Sequence, residues 1–169
     1  MSFTKRVNKE IQLYQKDNFI LPNLIIKPSD NLNIWYFVIY DLKDTDYYGG
    51  VYLGKVKLPD KYPFKAPDFS FLTPSGRFEI NKNVCTSFTG YHQELYSPSW
   101  NIGSMCCGLI SFMTDSTDSL ESHGIGKISS TAEYKKDIAK KSIMYIKENK
   151  PIFDIFNTFF SEYFTTLGL

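Results

Sequence analysis

The chain has 169 residues, which fits one domain able to bury a sizeable core. It is 43% hydrophobic and 17% aromatic, a globular rather than a disordered composition. Its 19 Lys and Arg against 18 Asp and Glu leave a net charge of +1, too little for the basic face of a nucleic-acid binder. The 3 cysteines are odd in number and two are adjacent, so no disulfide framework is implied. No Cys-x-x-Cys pair occurs and the histidines are only His92 and His123, which argues against a zinc site; no cofactor is called for. The amino terminus lacks the apolar run of a signal peptide, so a reducing cytoplasmic or nuclear compartment is expected.

Phe3, Val7, Ile11 and Tyr14 form one stripe at helical spacing and predict an amphipathic helix from Ser2, its cap, to about Lys16. Lys5, Arg6 and Lys9 lie off that stripe as a basic cluster. Leu24 to Ile26 is a short strand, and Asn33 to Asp41 a second one, apolar on both faces and therefore central and covered on both sides. After turn chemistry from Asp44 to Gly50, Val51 to Leu58 and Asp68 to Leu72 read as a third and a fourth strand. Four strands joined by short turns predict an antiparallel meander packed on helices, an α+β fold.

Ile102, Met105, Cys106, Leu109, Ile110 and Met113 recur at three- and four-residue spacing and predict a helix ending near Thr114. Cys106 lies on its apolar stripe and Cys107 beside it, which reads as packing. A polar loop follows from Asp115 to Ser130, then a charged helix from Thr131 to about Glu148, broken near Pro151. Ile152, Ile155, Phe156, Phe159, Phe160, Tyr163 and Phe164 then form a wide aromatic stripe on one further helix. That helix is too short, and with Asp154 and Glu162 too polar, to span a membrane well. Its polar face offers no Lys or Arg to anionic lipid, so packing on the domain or on a partner protein is expected.

The stretch from Tyr62 to Trp100 surrounds the one cysteine placed for chemistry. Pro63, Pro67, Pro74 and Gly76 break periodicity ahead of Cys85, so that cysteine falls in a loop held by fixed turns and is reachable from solvent. The thiolate is the nucleophile, and a free thiol has a pKa of about 8.5. No Lys, Arg or His lies within two residues of Cys85, so strong activation is not evident. That suits a thiol receiving an acyl group from a thioester better than a protease thiol, which needs an oriented histidine.

Several motifs here resemble the ubiquitin-conjugating enzymes. Tyr62-Pro63-Phe64-Lys65-Ala66-Pro67 is similar to that family's Tyr-Pro-Phe-Lys-Pro-Pro loop, and Tyr48-Gly49-Gly50-Val51-Tyr52 to its Tyr-x-Gly-Gly-Val strand start. Thr73-Pro74-Ser75-Gly76-Arg77-Phe78, with Gly90-Tyr91-His92 and Ser97-Pro98-Ser99-Trp100, resembles the atypical tail-anchored branch of the endoplasmic reticulum, without its membrane anchor. The resemblance implies a ubiquitin-conjugating catalytic domain over residues 1–150, with 151–169 as a C-terminal amphipathic aromatic helix. It implies ubiquitin carried as a thioester on Cys85, delivered by the ubiquitin-activating enzyme and passed to a protein substrate with a RING-type ubiquitin ligase. A monomer is expected.

It further implies activating-enzyme contact at Lys5, Arg6 and Lys9, and ligase contact at Pro63, Phe64, Ser97, Pro98 and Ser99. The family's usual His-Pro-Asn before the cysteine is missing. Ser75 stands where the branch has its Asn, which leaves Ser75, Asn81 and Asn83 as candidates for oxyanion stabilisation or loop ordering. His92, seven residues after Cys85, is a candidate base or orienting group. The branch includes enzymes that esterify serine and threonine, where a base would count for more. Three alternatives stay open: conjugation of another ubiquitin-like modifier, a non-covalent ubiquitin-binding scaffold, and a thiol hydrolase.

Overall fold

The structure, a computed structural model, describes residues 1–15, 21–84, 90–115 and 126–169. Helix α1 (Phe3–Gln15) precedes strands β1 (Leu24–Pro28), β2 (Ile34–Tyr40), β3 (Val51–Lys57) and β4 (Asp68–Phe71). A three-ten helix (Gly90–Leu95), α2 (Ile102–Thr114), α3 (Ala132–Glu148) and α4 (Lys150–Phe159) follow, then a three-ten turn (Ser161–Tyr163) and α5 (Phe164–Leu167). The strands pair antiparallel in the order β1-β2-β3-β4. This is the predicted α+β meander.

The helix boundaries follow their caps. Ser2 Oγ accepts from the Lys5 amide at 3.3 Å, and Asn101 and Ser104 form a reciprocal capping box that starts α2. Thr131 caps α3 through the Tyr134 amide, and Asn149 caps α4 with Pro151 in its first turn.

Both sheet faces are covered, as the doubly apolar β2 requires. The register Ile26↔Phe37, Phe37↔Gly54 and Gly54↔Phe71 lines these residues along one face, which packs with Val7 of α1 and with Ile102, Met105, Cys106 and Leu109 of α2. Gly54 has a steric reason: a Cβ there would come within 1.9 Å of the Phe37 ring. That ring crosses the glycine and meets Phe71 edge-on at 5.6 Å.

Ile25, Val38, Val51 and Leu53 line the opposite face with Ile146 of α3, Ile152 and Phe156 of α4, Phe160 and Leu167. Burying a Phe of this kind contributes about 1.5–3 kcal/mol, so Phe156 and Phe160, both at 0% exposure, are substantial contributors. The aromatic stripe is not one continuous helix, however. Phe160 leaves helical geometry at φ −126° and ψ 15°, ending α4 before the three-ten turn. The bend lets Phe160 and Leu167 enter the same cluster, while Lys27 of β1 pairs with Glu162 and lies 5.3 Å from the centre of the Tyr163 ring. Tertiary packing overrides the helical period here. Among the described residues, no helix is long and apolar enough to cross a membrane.

Candidate active site and docking surface

Strand β4 is the platform for the stretch that leads to Cys85. Beyond it, Thr73–Phe78 makes a tight turn in which Gly76 takes φ 79°, a left-handed conformation that suits glycine. Ser75 is wholly buried, and its hydroxyl accepts from the amides of Arg77 at 3.1 Å and Phe78 at 3.2 Å. Those bonds order the turn. Asn81, with φ 60°, donates its amide to Phe71 O at 2.8 Å, and Asn83 bridges Ser70; both are exposed.

The chain returns to β4 on both sides of the cysteine. Val84, at 0% exposure, donates its amide to Phe69 O at 2.8 Å. The Gly90 amide donates to the Asp68 carboxylate. Cys85 itself lies outside the described residues, as do the side chains of Tyr91 and His92. Between the two anchors opens a cleft of about 420 Å³, lined by Lys65, Asp68, Asn83, Gly90 and Gln93 among others. Partial burial raises the Asp68 pKa, more than Lys57 and the Gly90 amide lower it.

Next to this cleft the surface carries exposed apolar groups. The Phe64 side chain is 59% exposed on the 61–66 turn, and Leu95 is 56% exposed at the end of the three-ten helix. Pro63 is buried behind Phe64. Ser97, Pro98 and Ser99 form a second tight turn, closed by the Trp100 amide on Ser97 O at 3.0 Å, with Pro98 and Ser99 exposed.

The basic cluster on α1 divides in two. Lys5 and Lys9 are exposed, whereas Arg6 turns inward. Its guanidinium donates to Pro98 O at 2.8 Å, to Trp100 O at 2.6 Å and to Glu10 Oε1 at 2.7 Å, and lies over the Tyr62 ring. Glu10, only 3% exposed, also accepts from the Tyr62 hydroxyl and, at Oε2, from the Ile102 amide at 2.9 Å. One carboxylate thus ties α1, the Tyr62 turn and the start of α2 together. Burial works against the Arg6 charge, but its bond to Glu10 and the surrounding negative potential leave its pKa raised.

The profile of the ubiquitin-conjugating enzymes matches residues 6–142. Over 152 residues the chain is 37% identical to a "Ubiquitin-conjugating enzyme E2 J2-like" of Dictyostelium discoideum, spanning 89% of this chain and 85% of that protein. The chain belongs to the ubiquitin-conjugating enzyme family. It is also 35% identical to "Ubiquitin-conjugating enzyme E2 6" of Candida glabrata, over 89% of this chain but only 59% of that longer relative. A crystal structure of a ubiquitin-conjugating enzyme E2 from Plasmodium falciparum superposes with a TM-score of 0.56 at 30% identity, covering 70% of this chain and 87% of the other.

Family membership came from motifs, but three residues of this surface were not read from the sequence. Glu10 sits between Val7 and Ile11 on the buried side of α1, and an acid next to an apolar stripe was the available signal. Leu95 carried none, since a single apolar residue between Glu94 and Tyr96 has no period. Gln93 carried none either. Its carboxamide Oε1 accepts from the Ala66 amide at 2.8 Å and its Nε2 donates to Phe64 O at 3.3 Å, a contact across 27 and 29 residues of chain.

Proposed function

We propose that the chain takes ubiquitin from the activating enzyme as a thioester on Cys85 and, with a RING-type ligase, passes it to a lysine of a protein substrate. The observation that carries this reading is the pair of anchors on β4. They bring the chain before and after residue 85 to one open cleft, beside an exposed Phe64. Charging is an exchange: the Cys85 thiolate attacks the thioester carbonyl, its new C–S bond forms, and the activating enzyme's thiolate leaves. Discharge repeats the attack with a lysine amine. An ordinary lysine of pKa about 10.4 costs roughly 4 kcal/mol to deprotonate near neutral pH, so a partly desolvated cleft would help.

Lys5 and Lys9 present their charge to solvent and suit an acidic surface of the activating enzyme, with Arg6 shaping the ground beneath them. Phe64, Pro98 and Ser99 form the ligase-facing surface, where an apolar group held on a short turn loses little freedom on docking. Ser75 serves the loop through its two amide bonds. Cys106 is fully buried on α2, where a protein-sized acyl group has no room, and burial raises its pKa.

Incubation with activating enzyme, ATP and ubiquitin, followed by non-reducing gels, tests the assignment. Cys85→Ala is expected to abolish the adduct, and Cys85→Ser to give an oxyester resistant to reductant. A Cys106→Ser, Cys107→Ser double variant should retain the reducible adduct. A reducible adduct that survives in Cys85→Ala overturns the reading. His92→Ala should slow discharge to free serine more than to free lysine, at the low end of the 10²–10⁴-fold typical of positioned acid–base groups. Equal slowing would remove the base role.

A further inference from the structure

We propose that Gln93 is a positioning residue that couples ligase docking at Phe64 to the three-ten helix Gly90–Leu95. The proposal rests on the reading above and deepens it. Phe64 presents its ring to solvent, while its own carbonyl accepts from Gln93 Nε2 at 3.3 Å. Two residues on, the Ala66 amide is held by the same carboxamide through Oε1. One side chain therefore holds the backbone on either side of Lys65, directly after the exposed Phe.

The other end of the link is anchored as well. Gln93 belongs to the three-ten helix Gly90–Leu95, whose first residue donates to Asp68 of β4 and whose continuation is closed by the Tyr96 amide on Gln93 O at 3.3 Å. The link runs along the wall of the cleft, between Lys65 and Ala66 on one side and Gly90 on the other. A ligase that presses on the Phe64 ring displaces the peptide bonded to Gln93, and with it a helix that begins five residues after the acyl-carrying cysteine. Its effect on discharge then passes through two hydrogen bonds rather than through the distant core.

The chemistry of the link is specific. It needs an acceptor for the Ala66 amide and a donor for the Phe64 carbonyl on one side chain of this length. Glutamate keeps the acceptor and loses the donor. Methionine keeps the length and loses both. Asparagine is one methylene short. The two bonds go to backbone groups, so the link is independent of which side chains the turn presents.

The experiment compares single-turnover discharge of the ubiquitin-charged full chain, with and without a RING domain chosen because it stimulates the wild type. For Gln93→Met the ratio of stimulated to unstimulated discharge should fall about tenfold, the order set by two lost neutral hydrogen bonds. For Gln93→Glu it should fall about threefold. RING affinity should shift by less than threefold in both, and hydrogen exchange at the Ala66 amide should quicken in Gln93→Met alone. An unchanged ratio overturns the proposal, whether the two discharge rates fall together or stay at wild-type values. So does a loss of RING affinity as large as the loss of stimulation, since Gln93 would then be part of the docking face. Failure of the wild-type chain to charge at Cys85 would overturn this proposal together with the parent reading, whereas a charged Gln93→Met with full stimulation overturns this one alone.

Discussion

Two ties hold the exposed surface around Phe64, and they are built from opposite materials. On the α1 side, Arg6 and Glu10 form a charged pair with exposures of 12% and 3%, bonded to Pro98, Trp100, Tyr62 and Ile102. On the cleft side, the neutral Gln93 is itself exposed and holds two backbone groups. Breaking a buried ion pair leaves an uncompensated charge, so the first tie is a structural commitment. A neutral link at the surface can reform with water when it opens, so the second can change state at small cost. The contrast assigns stability to one side of the docking surface and communication to the other.

Glu10→Ala is the variant that would break the comparison most visibly. It removes one partner each from the Arg6 guanidinium, the Tyr62 hydroxyl and the Ile102 amide. A loss of about 3 kcal/mol is expected, at the lower end for a broken buried pair because Arg6 keeps its two carbonyls. Urea unfolding monitored by circular dichroism reads it, and a loss under 1 kcal/mol would make the pair no more structural than Gln93.

Alkaline pH should sharpen the same point. Burial raises the pKa of Tyr14, Tyr52 and Tyr62, with the Glu10 charge adding to it at Tyr14 and Tyr62. Burial also lifts Tyr47 and Tyr96 to about 12. With raised values the folded chain keeps protons that the unfolded chain gives up near pH 10. Stability is therefore full below about pH 10 and falls as pH rises towards 12 and beyond. Tyr62→Phe should flatten that decline, which thermal melts across the range would register. At neutral pH the same variant should cost about 1–2 kcal/mol, since Glu10 loses one of its donors inside the fold.

Phe64→Ala should have the smallest effect on stability, within about 0.5 kcal/mol, because the ring is 59% exposed. Ligase-stimulated discharge should fall far more than charging does. A melting temperature lowered by many degrees would mean that the ring is packed in solution and would remove it from the docking face.

The sequence was informative wherever one residue's neighbours along the chain decide its place. The α1 stripe, the doubly apolar β2 and the α2 pattern each predicted an element whose observed bounds differ by at most two residues. The site was legible only in part. Phe64 was marked by its flanking prolines and its place in a family loop, and Ser75 by standing where the resembled branch has its Asn. Arg6 looked like a third free cation alongside Lys5 and Lys9, and only the approach of Pro98 and Trp100, more than ninety residues away, turned it inward.

Local pattern alone thus determined the α+β class, the order of the strands, the packing of Cys106 and the family to which the chain belongs. These rest on periodicity, proline and glycine punctuation and motif order, all of which act over a few residues. Tertiary structure alone decided that the aromatic tail bends at Phe160, that Glu10 is buried among three partners, and that Gln93 clasps the Phe64 turn. Each of these depends on hydrogen bonds or packing between segments brought together by the sheet and its helices. A polar side chain that bonds to a backbone leaves no mark in the sequence of the segment it holds, because every residue there carries the same amide and carbonyl.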